Sequence, residues 1–322
     1  MRVLVIGGTG HIGTHLVPRL VEAGHEVIVM SRGSREPYQP HPAWAHVDRI
    51  TVDKTEMEKT GTFGALVKEQ KADIVMDMLC FTVESAEQLV DSLRGSIEML
   101  LHCGTIWVHG PSVRVPTTEE TPRGPLEPYG INKALIEKYL LFEARHNDFP
   151  VTILHPGQIA GQGWSPVNPA GNSDISLFSD LAQGKEIVLP NSGMETLNFV
   201  HADDVAHAFM QAMTHWNAAR AENFHIVADD AITLRGYAEF AARQFGQTPN
   251  MRFLPLDDLC ASLPEVLASG TRSHLLHSPH CSCDKARRLI DYRPRYNVYE
   301  TLADALSWMR ENEGMKLADY KE

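Results

Sequence analysis

The sequence predicts an α/β protein built on a doubly wound parallel sheet with a smaller C-terminal lobe, and two observations carry the sheet. Short apolar runs alternate with helical stretches, at Val3 to Ile6, Val27 to Met30, Ile50 to Val52, Ile74 to Met78 and the run opening at Met99 to Leu101. The first run opens directly into Gly7-Gly8-Thr9-Gly10-His11-Ile12-Gly13, with Gly7, Gly10 and Gly13 every third residue. In such a sheet, ligands sit beyond the carboxyl ends of the strands.

Val3 to Ile6 is too short for a core helix, rich in β-branched side chains and bounded by glycine, as a strand buried on both faces should be. A tight turn out of that strand needs φ > 0, a pyrophosphate needs close backbone approach, and the following helix must pack near the strand; glycine satisfies all three. Thr14 to Ala23 reads as that helix, with its leading N–H groups aimed at an anion over the turn. Followed by a second strand one βαβ length later, the turn predicts a dinucleotide site formed by Gly7, Thr9, Gly10, His11, Ile12 and Gly13.

The 322 residues can bury a substantial core, and 43% hydrophobic with 22% charged residues is an ordinary globular composition. A net charge of −12 argues against a nucleic-acid partner, whose phosphates are neutralised by Lys and Arg. No apolar run approaches the roughly eighteen residues that span a bilayer, and the N-terminal apolar stretch is too short for a secretory signal. Five scattered cysteines do not form a disulfide framework, so a reducing cytoplasmic setting is expected.

The end of the second strand bears on cofactor choice. An acid there would accept the ribose 2′-OH of NAD, whereas Ser31 and Arg32, with Arg35 close by, suit a 2′-phosphate, so NADP is favoured and NAD stays possible. Asp53 either meets the adenine or caps the helix after it.

The fifth strand runs into Thr105, and a polar loop leads to Pro128-Tyr129-Gly130-Ile131-Asn132-Lys133. Of eight tyrosines, only Tyr129 has a lysine four residues on, which places the two on one helical face. Hydride transfer at a carbinol carbon needs a base for the hydroxyl proton, and free tyrosine, with a pKa of about 10, is too weakly ionised. A nearby ammonium favours phenolate, so Tyr129 is assigned as acid/base, Lys133 as the group that lowers its pKa, and Thr105 as the hydroxyl that orients the reacting oxygen.

The glycine turn, Thr105 and Tyr129-Gly130-Ile131-Asn132-Lys133 resemble the extended short-chain dehydrogenase/reductase family of NAD(P)-dependent sugar epimerases and dehydratases. Leu154 to Gly161, Asn198 to Val205 and Asp284 to Pro294 also resemble that family's later segments, so the likeness covers essentially the whole chain. It implies a homodimer through helices containing Glu84 to Leu93 and Lys133 to Arg145, contacts from Lys133 and Pro156 to the cofactor, and a substrate-facing Gln158. Leu197 stands where nucleotide-sugar epimerases carry a diphosphate-holding arginine, and Arg272 matches another such arginine. Asp77 to Phe81 replaces the family's turn after the fourth strand. These departures lean towards a divergent branch that also includes chloroplast stem-loop-binding proteins. Dehydratases of the family add a carboxylate just after the catalytic Thr or Ser; Ile106 to Val115 has none, which disfavours dehydration.

Other polar residues carry two readings each. His155 either faces the nicotinamide or is a satisfied strand-end histidine; His201 and Asp204 brace a helix starting near Val205. The run His274 to Cys283 has the wrong spacing for a zinc site, so no metal is expected, though one histidine there can reach substrate. Gln162 to Asn172 is either a substrate lid or an ordinary interlobe loop.

The expected division is a cofactor domain of residues 1–160 with 197–228, and a substrate lobe of 161–196 with 229–322. The expected activity is NAD(P)-linked hydride transfer at a secondary alcohol or ketone of a small sugar-like substrate. The alternatives are an NAD-retaining sugar epimerase and a non-catalytic binding protein that keeps the fold.

Overall fold

The computed structural model describes residues 1–312. In chain order, β1 (Arg2–Ile6), α1 (His11–Glu22), β2 (Glu26–Ser31), β3 (Val47–Thr51), α2 (Lys54–Lys59), α3 (Phe63–Glu69), β4 (Ile74–Asp77), α4 (Val83–Leu93), β5 (Met99–Cys103), α5 (Pro128–His146) and β6 (Val151–Pro156) build most of the first layer system. Then follow β7 (Gln158–Ala160), α6 (Ser176–Ala182), β8 (Glu186–Pro190), β9 (Thr196–Leu197), β10 (Phe199–His201), α7 (Ala202–Thr214), α8 (Trp216–Ala219), β11 (Asn223–Ile226), β12 (Ile232–Thr233), α9 (Leu234–Gln244) and β13 (Asn250–Leu254). The last helices are α10 (Leu256–Ala261), α11 (Glu265–His277), α12 (Asp284–Ile290) and α13 (Val298–Asn312).

Seven parallel strands in the order β11-β6-β5-β4-β1-β2-β3 form the central sheet. The order reverses about β1, and the glycine turn leaves the carboxyl end of that strand, where such sheets open a crevice. The third strand begins earlier than the apolar run Ile50 to Val52 suggests. It lies at the sheet edge with Asp48 and Arg49 exposed, so it carries no continuous apolar signal.

Alternate residues of the strands feed two cores. Val3, Val5, Met76 and Leu101 pack with α1 and α7, while Leu4, Ile6, Val75 and Leu100 pack with α3, α4 and α5. A third core joins α6, α9 and α13 around Phe178, Phe199, Tyr237 and Leu302, apart from the sheet. Residues 281–292 return to the sheet side, where Cys281, Ala286, Ile290 and Tyr292 enter the same core as β1.

The helix expected near Val205 starts at Ala202, and His201 is its cap, with Nδ1 accepting from the Asp203 N–H at 3.1 Å. Asp204 does different work from the cap expected of it. Fully buried, it accepts from the backbone N–H groups of Arg295 (3.0 Å) and Tyr296 (3.1 Å) and from Arg295 Nε (3.1 Å), tying the segment before α13 to α7.

Candidate active site

At the carboxyl end of β1 the turn has the form that a dinucleotide needs. Gly7 has φ +85°, and a Cβ on Gly13 would lie 2.0 Å from the Gly8 carbonyl oxygen, so Gly13 lets α1 pack directly on the turn. The Gly10 N-cap of α1 has no side chain to occupy the first N–H groups of the helix, which suits them to a phosphate. The donor set and cradle therefore fit a dinucleotide pyrophosphate. Thr9 is buried at the turn, and Ile12 points into the core and packs the helix on the sheet. Beyond β2, Ser31 Oγ accepts from the Gly33 N–H at 3.3 Å, while Arg32 is exposed and makes no ion pair with any described residue. Of the two readings of Asp53, the structure shows the cap: its carboxylate accepts from the Glu56 N–H at 3.2 Å.

The second half of the site hangs on the end of β5. Beyond the sheet ladder, the Cys103 carbonyl accepts from Lys133 Nζ at 2.8 Å, and the Thr105 N–H donates to His155 Nδ1 at 2.9 Å. A backbone N–H can only donate, so Nδ1 is the unprotonated nitrogen and the ring proton sits on Nε2. That Nε2 faces Glu137 Oε1 at 3.2 Å, and Arg123 grips the same carboxylate from Nε (2.8 Å) and Nη2 (2.5 Å). Gly104 makes room for this arrangement, since a Cβ there would lie 2.2 Å from His155 Nδ1. His155 is thus a buried, fully paired histidine that holds Thr105. Neither nitrogen is left for the nicotinamide, the other reading that the sequence allowed.

Tyr129, Lys133 and Glu137 recur every four residues on the inner face of α5. Tyr129 keeps 42% of its surface exposed, while the protein packed around it desolvates its phenol. That desolvation, with the Cys103 thiol adding to it, pushes the phenol up to about 12 against the pull of a hydrogen bond with Thr105. The expected lowering by Lys133 is corrected here. Its ammonium is engaged by the Cys103 carbonyl and lies 4.9 Å over the Phe81 ring, so the protein's own charges do not make Tyr129 a phenolate. Thr105 Oγ1 accepts from the Trp107 N–H at 3.3 Å, which leaves its proton free to turn towards Tyr129 or a substrate oxygen.

The wall beside Tyr129 is aromatic. Trp107 meets the Tyr129 ring edge-on at 5.9 Å, stacks on His277 at 4.2 Å and meets His274 at 5.0 Å. Arg272, on the same helix, is exposed and pairs with Asp257 at 2.7 Å, so the arginine matched to a diphosphate holder is turned to another partner. Leu197 is wholly buried. Gln158 Oε1 accepts from the Asn198 N–H at 3.1 Å, and its Nε2 is buried without a partner. Pro156 lies within the sheet opposite Ile226.

Sequence reasoning missed Glu137, although its place one turn beyond Lys133 was readable, and Trp107, which looked like any loop aromatic. It also missed what Asp77 and His102 do, a pair in register on β4 and β5. Together with Cys80 they are, among the described residues, a group whose possible metal-ligand atoms lie within 4.8 Å of one another. Burial raises the Asp77 carboxyl and lowers His102 well below its ordinary value, while the charges of Lys54 and Lys133 act on both and would oppose a cation there.

The glycine turn at the switch point of a parallel sheet is that of a dinucleotide-dependent enzyme of the extended short-chain dehydrogenase/reductase type. The chain belongs to the NAD dependent epimerase/dehydratase family, whose model matches residues 3–227. It is 26% identical over 274 residues to the 2'-dehydrokanamycin reductase of Streptomyces kanamyceticus, covering 84% of this chain and 75% of that protein. It is 24% identical over 314 residues to the chloroplast stem-loop binding protein of 41 kDa b of Arabidopsis thaliana, covering 94% and 78%. Its fold matches the UDP-glucose 4-epimerase of Thermotoga maritima, solved with UDP-glucose, with a TM-score of 0.76 at 20% identity over 97% of this chain and 100% of that one.

Burial alone would raise the Glu137 carboxyl, but the His155 ring and the Arg123 guanidinium facing it outweigh that and hold it well below the usual range. A depressed carboxylate contributes stability above its unfolded pKa, and that stability drains as pH falls through the folded one. Glu137→Gln should therefore cost about 3 kcal/mol near neutral pH, with the gap to wild type narrowing below about pH 4.5. Urea unfolding from pH 7 to 3 measures it; a gap that stays constant below pH 4.5 would show that the charge is not what holds the network.

Proposed function

We propose that the chain transfers hydride to or from a secondary alcohol or ketone carbon of a sugar-like substrate, as a reductase or dehydrogenase exchanging NADP between turnovers. The observation that carries the reading is the meeting of Thr105, Tyr129 and Lys133 at the end of β5. The glycine turn is close by, with Leu79 packed where a Gly7 side chain would be and Phe81 beneath the Lys133 ammonium. A bound nicotinamide supplies or takes the hydride. Tyr129 then gives a proton to the carbonyl oxygen in reduction and removes one from the hydroxyl in oxidation, and Thr105 holds that oxygen in line through its own OH. Because the protein leaves the phenol near 12, Tyr129 is stocked with its proton, the state that reduction needs. Lys133, already beside this strand end, also bonds the nicotinamide ribose.

Substrate class follows from the wall and from what the cleft lacks. Trp107, half-buried and stacked on His277, makes the wall beside Tyr129 aromatic, and the diphosphate-holding arginines are replaced by a buried Leu197 and by an Arg272 engaged with Asp257. An uncharged ring suits this site better than a nucleotide sugar, in keeping with the 2'-dehydrokanamycin reductase among the relatives. The exposed Arg32 and nearby Arg35, with no acid at the end of β2, support the 2′-phosphate of NADP. A second reading, an NAD-retaining epimerase, is favoured by relatives such as the UDP-glucose 4-epimerase of Lactobacillus helveticus, 21% identical over 349 residues. Cofactor that survives gel filtration, seen as NAD by native mass spectrometry, would select it over the reductase.

The buried state of all five cysteines, none in a disulfide, supports a reducing cytoplasmic setting. On the outside of α5, exposed Ile131, Leu135 and Phe142 line a groove of 690 Å³ flanked by Lys138 and Arg145. Beside it α4 exposes Glu84, Glu87 and Asp91. Two-fold packing of α4 and α5 against a second copy would cover the apolar stripe and pair these charges, so the chain assembles as a homodimer. Leu135→Asp should convert it to a monomer in sedimentation velocity; a wild-type protein already monomeric at micromolar concentration would overturn the assembly.

Tyr129→Phe should lower turnover of a keto-sugar by at least about a hundredfold while leaving NADPH affinity, read by nicotinamide fluorescence, within a few-fold. Full activity in that variant removes the mechanism. Arg32→Asp should weaken NADPH binding about tenfold or more relative to NADH. An unmoved ratio places the 2′-phosphate elsewhere.

A further inference from the structure

The loop after β7 reaches the dinucleotide turn. Gly161 (φ +121°) and Gly163 (φ +90°) bracket Gln162, and neither has room for a side chain: a Cβ would lie 2.7 Å from the His201 ring and 2.5 Å from Tyr38 respectively. The polar groups of Gln162 bind three different parts of the chain. Its carbonyl accepts from His11 Nε2 at 3.2 Å, at the first residue of α1. Its side-chain oxygen accepts from Gln39 Nε2 at 2.7 Å, in the loop after β2. Its Nε2 and backbone N–H donate to Asp304 Oδ1 (2.7 Å) and Oδ2 (3.3 Å) on α13. Asp304 is fixed in turn by His201 Nε2 at 3.0 Å.

Two residues on, Trp164 stacks on His11 with ring centroids 5.7 Å apart and planes 15° from parallel, and Arg35 lies 5.8 Å over the same indole. Burial holds His11 down to about 3, so it is a neutral ring against Trp164 and not a cation competing with Arg35. Trp164 nonetheless remains 44% exposed. The loop thus sets an indole at the mouth of the phosphate turn, and Gln162 is the point where the turn, the loop after β2 and the C-terminal lobe are fastened together.

We propose that Gln162 is a latch on the cofactor. It holds Trp164 over the N-terminus of α1, so that a bound dinucleotide leaves only when the Gly161–Gly163 segment swings away, and its strength sets whether cofactor exchanges between turnovers or is retained. The inference rests on the dinucleotide reading of the glycine turn, and the test separates the two.

NADPH-loaded protein is mixed with excess NADP⁺ in a stopped-flow instrument, and the loss of nicotinamide fluorescence gives the release rate without any substrate. Gln162→Ala should release NADPH at least about tenfold faster, with association changed by less than about threefold, because losing a clasp acts on departure. Trp164→Ala, at a half-exposed position where folding is not at stake, should accelerate release similarly. Release unchanged within about twofold in both variants overturns the latch alone. Failure of wild-type protein to bind either NADPH or NADH overturns the dinucleotide reading and the latch with it.

Discussion

The end of β5 is the constraint on which the rest of the site depends. β5 runs past the end of β4, and a backbone carbonyl or N–H left buried and unpaired at such a strand end costs about 1–3 kcal/mol. Here both are met by side chains: Lys133 donates to the Cys103 carbonyl and His155 accepts from the Thr105 N–H. Because Lys133 lies on α5 and His155 on β6, these bonds set the distance between the helix that carries Tyr129 and the segment after β5 that carries Thr105. Glu137 extends the tie by orienting His155 from the same helix.

This has an electrostatic consequence. Lys133 is committed to a neutral carbonyl, and the imidazole of His102 near it is neutral as well, driven well below its ordinary value by burial. The Tyr129 phenol, pushed up to about 12 chiefly by desolvation, therefore keeps its proton. The positive charge that would favour phenolate has to come from outside the protein's own side chains.

The two lobes are joined through acids on and beside α7 and α13. Asp204 binds the backbone before α13, and Asp304 on α13 binds both His201 and Gln162. Asp304 thus ties α13 to the loop at the glycine turn.

Much of the fold was legible because its signals are local. Buried parallel strands must be apolar throughout, so β1, β2, β4 and β5 announce themselves; the edge strand β3, solvated on one side, does not. Gly7, Gly10 and Gly13 were readable because turn geometry tolerates little else, and the four-residue spacing of Tyr129 and Lys133 places them on one helical face by itself. Direction and partnership were not readable. Lys133 turned to a carbonyl and not to the phenol, His155 to a backbone N–H, Asp204 to a segment ninety residues away and Arg272 to Asp257, because each choice depends on which distant group burial brings within reach. The sequence by itself determined the strands, the glycine turn and the chemical inventory, since these follow from periodicity and backbone sterics. Only the tertiary structure decided the protonation and pairing of that inventory, because desolvation and hydrogen bonding are properties of neighbours in space.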